Sequence, residues 1–271
     1  MELLSLQLLV IFAVLGTCAG CAAGLLGVGG GVILVPLFMW SFQLAALDPQ
    51  ILVHCAFATS LAIIIPTAIS NTLGHRKRGY VRGMQVLYLA LGAVCGACVG
   101  AWCASLLSGS FLKIAFGVMQ IGVAFKLLSG ALKPATEGLR EQTSLLLLTG
   151  FIGGAFSSFF GVGGGVVAVP IMVILLRFPI HLAVGNSTAL IVVSSFVGTC
   201  AYIYTGWGLR SIADGFLGYV FLPAVAMVIP FSLVGSRIGV HLAGRFSHVR
   251  MIKIFAALLV CVGVRVIWVA F

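Results

Sequence analysis
The chain has 271 residues, of which 62% are apolar before glycine is counted and only 7% are charged. An ordinary soluble domain carries roughly 25% charged residues, so a soluble globule is excluded. The formal net charge of +10 fits basic loops on the cytoplasmic side of a membrane and gives no reason to invoke nucleic acid.

In chain order, apolar runs between polar breaks give ten segments: 4–26, 30–46, 51–73, 84–107, 111–132, 144–160, 163–176, 182–205, 216–243 and 251–271. Runs such as 51–72 and 251–271 are continuously apolar and long enough to cross a hydrocarbon core of roughly 30 Å as helices. They lack the alternation of a barrel strand. The first run follows Met1 and Glu2, not the positive leading region of a signal peptide, and is expected to belong to the mature fold. The stretch LKPATEGLREQT, 132–143, is the most polar in the chain and lies midway. It divides a first membrane repeat, 1–132, from a second, 144–271, through a connector at 133–143. The expected fold is all-α: a polytopic helical membrane protein of two inverted repeats, five hydrophobic segments each, with 8 to 10 crossings.

The evidence for duplication is local. GVGGGVILVP, 27–36, returns as GVGGGVVAVP, 161–170, and CAFATSL, 55–61, aligns with VGNSTAL, 184–190. That alignment sets Phe57 opposite Asn186. If all ten segments cross, eleven basic residues gather on one side and three on the other; both termini then lie outside. Re-entrant glycine hairpins would give the same parity, so charge does not choose between hairpins and crossings.

The segments that follow the two glycine clusters are short and occupy corresponding places, which is the sequence pointer to a transporter's binding site. A triple glycine can break a helix and start another whose positive end favours an anion. Candidate substrate-binding residues are therefore Gly29, Gly30 and Gly31 in the first copy and Gly163, Gly164 and Gly165 in the second. Thr59, Ser60, Ser158, Asn186, Ser187 and Thr188 add neutral donors inside membrane segments. Arg237, about seven residues inside its segment, is a candidate charge partner for the anion, with snorkelling to the surface as the alternative.

All five acidic residues, Glu2, Asp48, Glu137, Glu141 and Asp214, fall at a terminus or in an expected loop. A cation pump or proton relay usually places a carboxylate within the membrane. No metal site, cofactor or enzymatic chemistry is expected. The eight cysteines read as packing residues. CAGC, 18–21, and CGAC, 95–98, have redox spacing and keep a thiol-disulfide electron carrier as the alternative function.

The duplicated GVGGG with its downstream proline, the ATSL and NSTAL stretches, the basic GHRKRGYV turn and the glycine-rich GAVCGACVG helix resemble the sulfite exporter TauE/SafE family over essentially the whole chain. The resemblance implies a multi-pass permease of the bacterial cytoplasmic (inner) membrane that moves a small sulfur-containing anion: sulfite, sulfoacetate or a related organosulfonate. It also implies export by alternating access. The expected partners are that anion and the lipid bilayer, with a homodimer left open.

Overall fold
The computed structural model describes residues 6–128, 142–209 and 215–243, together with 256, 257, 260, 261, 263, 264 and 266. The chain forms a polytopic helical membrane protein. Its helices are α1 (Leu6–Leu26), α2 (Gly31–Leu44), α3 (Pro49–Lys77), α4 (Gly83–Ser105), α5 (Gly109–Leu128), α6 (Thr143–Phe160), α7 (Gly165–Ile174), α8 (Ile180–Thr205) and α9 (Leu222–Leu242). The described residues between 256 and 266 are also helical. Five of these helices, α3, α4, α6, α8 and α9, are long and apolar enough to cross a bilayer. The connector at 133–143 lies almost wholly outside the described residues.

Helix α3 starts and stops as its sequence dictates. The Asp48 carboxylate accepts a hydrogen bond from the Gln50 N–H at 2.9 Å, Pro49 occupies the first turn, and Arg76 and Lys77 complement the dipole in the last turn. One expectation needs correction. The apolar run from 216 does not begin as helix: Phe216–Leu217 pairs antiparallel with Val220–Phe221 in a short hairpin, β1 and β2. Gly215 and Gly218, both at positive φ, turn the chain there, and α9 begins only at Leu222, with proline in its first turn.

Helices α3 and α8 form the centre and run antiparallel. The His54 ring, near the start of α3, lies 6.4 Å from Tyr202 near the end of α8. Tyr80, just beyond α3, stacks on His181 at the start of α8. Two pairs of parallel helices flank this centre. Methyl groups built on Gly92, Gly96 and Gly100 of α4 would collide with carbonyls of Leu147, Phe151 and Ala155 in turn along α6. On the other side, Gly20 and Gly235 leave no space between α1 and α9. Small residues at four-residue spacing let backbones approach, the usual basis of helix association in lipid.

Both short helices fold back on the helix before them. Gly30 lies against Ala19 and Phe38 against Phe12, so α2 returns along α1. Gly164 and Ala168 both lie against Gly153, so α7 returns along α6. At 1.5 Å per residue the 14 residues of α2 span about 21 Å and the 10 residues of α7 about 15 Å. Neither reaches across a bilayer alone.

Candidate substrate site at the two glycine breaks
The breaks between α1 and α2 and between α6 and α7 have the same backbone. Gly27, Gly29 and Gly30 sit at φ 67°, 93° and 74°, and Gly161, Gly163 and Gly164 at 69°, 93° and 76°. These are left-handed values that L side chains rarely adopt. The breaks also touch one another: a methyl on Gly29 would lie 3.4 Å from Gly163 Cα, and one on Gly163 would lie 3.5 Å from Gly29 Cα. The new helices therefore start back to back at the centre of the protein. Their N-caps, Gly30 and Gly164, provide no side-chain cap, so the first amides of α2 and α7 are unpaired by any capping oxygen.

The serines of α3 and α8 tie each break to the opposite half. Ser60 Oγ donates to Gly161 O at 2.9 Å, and Ser187 Oγ donates to Gly27 O at 2.9 Å. One residue earlier, Thr59 Oγ1 accepts the Phe221 N–H at 3.0 Å and Asn186 Oδ1 accepts the Arg82 N–H at 3.0 Å. Phe221 and Arg82 are the N-cap residues of α9 and α4. This geometry corrects the register expected from sequence: Thr59, not Phe57, stands opposite Asn186. Read this way, HCAFATS, 54–60, matches HLAVGNS, 181–187, at His, Ala and Ser.

Each of these pairs extends into an aromatic cluster. The stretch GYV, 79–81, recurs as GYV, 218–220, with Gly79 and Gly218 both at positive φ. Tyr80 stacks on His181 at 5.1 Å and Tyr219 on His54 at 5.3 Å. A further hydrogen bond is matched as well: His75 Nε2–H donates to Gly24 O at 2.9 Å, and Tyr202 O–H donates to Ser158 O at 3.0 Å. The GYV repeat and the His-x-Ala-x-x-x-Ser match were the available sequence signals for these residues.

Of the residues singled out by sequence, Gly29, Gly30, Gly31, Gly163, Gly164, Gly165, Ser60 and Ser187 meet at the breaks, all buried. Thr59 and Asn186 hold the entries of α9 and α4. Thr188 Oγ1 donates to Gly185 O at 2.7 Å in its own helix, a local backbone role. Arg237 is exposed on α9 beside exposed Val234 and Ile238, so the structure does not bring it to the breaks; its neighbours Ser236 and Gly239 take the inward face of the helix.

The polar surroundings of the breaks differ. Ser157, Ser158 and Ser195 are fully buried with hydroxyls that have no hydrogen-bond partner, and a methyl on Gly164 would lie 3.1 Å from Ser157 Cβ. Ala23 takes the corresponding place beside Gly30. At the first break Gln120 of α5, unanticipated from sequence, donates to Val32 O at 3.4 Å and leaves its own Oε1 unpaired. Buried hydroxyls and amides of this kind are open to a water or a ligand. Among the described residues no cluster of His, Cys, Asp and Glu is suited to a metal ion.

The family model described as Sulfite exporter TauE/SafE matches residues 12–266. The chain belongs to this family. It is 27% identical over 280 residues to the probable membrane transporter protein YunE of Bacillus subtilis (strain 168), covering 96% of this chain and 97% of that one. A probable membrane transporter protein of Xylella fastidiosa (strain 9a5c) is 28% identical, covering 98% and 97% of the two chains. One from Methanocaldococcus jannaschii is 25% identical, with 91% of each chain covered. No solved structure matches the chain. The TauE/SafE chain is thus a multi-pass membrane transporter.

Proposed function
We propose that this transporter carries a small sulfur-containing anion, sulfite, sulfoacetate or a related organosulfonate, outward across a bacterial cytoplasmic membrane. Two inverted halves, 1–132 and 144–271, move against each other around the glycine breaks to give alternating access. The observation that carries the reading is the pair of uncapped helix N-termini meeting at Gly29 and Gly163. A helix terminus offers an anion its free amides and the positive end of the dipole. The hydroxyls of Ser157 and Ser158, unpartnered in the turn of α6 that leads into the second break, supply donors that a sulfonate oxygen accepts. No membrane helix among the described residues holds a carboxylate that would repel the anion or favour a cation.

The test is a ligand-induced thermal shift on purified protein with sulfite, sulfoacetate, sulfate and acetate. A shift with the sulfur anions and none with acetate is expected. Ser157→Ala and Ser158→Ala should weaken that shift while leaving the ligand-free protein equally stable, because an unpartnered buried hydroxyl contributes no hydrogen bond to lose. Undiminished shifts in both variants would move the site away from the second break. Direction is read separately, from flux out of and into proteoliposomes of known orientation.

A further inference from the structure
We propose that Nδ1 of His75 is a proton-binding site whose occupancy releases α3 from α1 and opens the basic mouth of the transporter. The proposal holds whichever anion is carried. His75 is 2% exposed, although it lies in the last turn of a helix that ends in Arg76 and Lys77. Its Nε2–H is committed to Gly24 O at 2.9 Å. With that nitrogen protonated, the neutral ring has a lone pair on Nδ1, and Nδ1 has no partner.

The opposite mouth shows what the bond needs mechanically. There the same contact, from α8 to α6, is made by Tyr202 to Ser158 O at 3.0 Å. A phenol serves the geometry and does not titrate near neutral pH. At the basic mouth the fold uses the one side chain that does.

While the contact is closed, the Gly24 carbonyl and the C-terminal end of α3 are the surroundings that favour a bound proton, and no carboxylate faces it. Tyr80 lies 6.4 Å away, ring to ring, and Arg78 and His181 are the charged or titratable groups close enough to act on it. From α1 and α9 the same region is filled by Gly24, Ser236 and Val240. The only acidic residue among the described ones, Asp48, caps the far end of α3. A cationic ring here would be buried without a counter-charge, which is costly, whereas an opened mouth lets Nδ1–H reach water. The proton comes from the solution at the basic mouth and returns there when the mouth closes.

Ser236→Cys reports the opening, because Ser236 is fully buried and bonds Ser70 and Asn71 beside the same contact. In an otherwise cysteine-free full chain, its labelling by a small soluble thiol reagent is measured from about pH 8 to about pH 5.5, across the histidine range. Rates are normalised to exposed Lys77→Cys to remove thiol ionisation. The expected result is a several-fold rise in normalised rate as pH falls, abolished in His75→Tyr and in His75→Gln, and retained in His181→Gln. The glutamine variant keeps a donor for Gly24 O and gives the same answer if the tyrosine variant does not fold. A flat profile in the parent, a rise that survives both His75 variants, or a rise lost with His181→Gln alone overturns the proposal.

Discussion

The two glycine breaks share a backbone and differ in what surrounds it. At the first break the neighbouring turn of α1 is Ala23 and Gly24, and the space beside Gly24 is taken by Asn71 of α3, whose Oδ1 accepts from Ser236 at 2.6 Å. At the second break the turn of α6 is Ser157 and Ser158, and the space beside Ser158 is left by Gly198 of α8. The polar side chain has changed helices between the copies. In the first copy it is tied into a hydrogen-bonded network; in the second its hydroxyl lies against Gly198 of α8 without a partner. The glycine scaffold is the same at both breaks and the polarity around it differs, with unpartnered serine hydroxyls on the second side and a hydrogen-bonded Asn71–Ser236 pair on the first.

The most severe test of this comparison substitutes the N-cap glycines. Positive φ alone costs an alanine roughly 1–2 kcal/mol at either position. Gly164→Ala would also drive its methyl into the Gly153 carbonyl, adding roughly 1–3 kcal/mol of overpacking. At Gly30 the nearest atom is Ala19 O at 2.9 Å, a milder collision. Thermal unfolding in detergent should therefore rank Gly164→Ala below Gly30→Ala, and both far below Gly122→Ala, where a methyl meets nothing within 4 Å. Equal losses at the two breaks would show that their packing does not differ as described.

Most of the helical layout was legible because continuous apolar runs set helix length, and the two in-register glycine clusters marked the breaks. Three features were not. Between 216 and 221 hydropathy gave no sign of the hairpin, because the decisive signal was conformational: glycines at 215 and 218 that need positive φ. The register of α3 against α8 slipped by two residues because ATSL and NSTAL share small polar letters, whereas the partners that fix it, Gly161 O and Gly27 O, are distant in sequence. For Arg237 the sequence left an anion partner and a snorkelling residue open, because depth along a helix can be counted from sequence but the face cannot. Contacts of α1 with α9 decide that face, and they put Gly235 and Gly239 inward.

A smaller difference separates the residues that hold the entries of α9 and α4. Thr59 accepts one bond, from the Phe221 N–H. Asn186 accepts the Arg82 N–H and also donates to Gln85 Oε1 at 2.6 Å. Removing an acceptor from a buried donor costs roughly 1–3 kcal/mol. Asn186→Ala should sit toward the upper end and Thr59→Val toward the lower, since Asn186 loses a second, buried bond to Gln85 besides the one to a partly buried N–H. Denaturation midpoints of the two variants in one detergent give the comparison directly. A larger loss for Thr59→Val would mean that the hairpin, not the α4 entry, is the more tightly held of the two.

The smallest effect is expected where the two halves do not correspond at all. The CAGC pair lies on α1 and the CGAC pair on α4, and neither recurs on α6 or α9, the helices that carry the second copy of the glycine break and of the GYV-led helix. Cys18, Cys95 and Cys98 are exposed and Cys21 is half-buried, so these thiols take no part in the core that links the breaks. Of the eight cysteines described, only Cys55 is fully buried. Replacing all eight by alanine or serine, with alanine at 55, should cost about 1 kcal/mol or less from the atom removed at that one site, and should leave anion flux in proteoliposomes unchanged at matched protein density. If flux were lost on changing Cys18 and Cys21 alone, or Cys95 and Cys98 alone, in protein that still unfolds at the parent temperature, thiol chemistry would be part of the transport cycle. The breaks could not then be its whole machinery, because no cysteine lies within either of them.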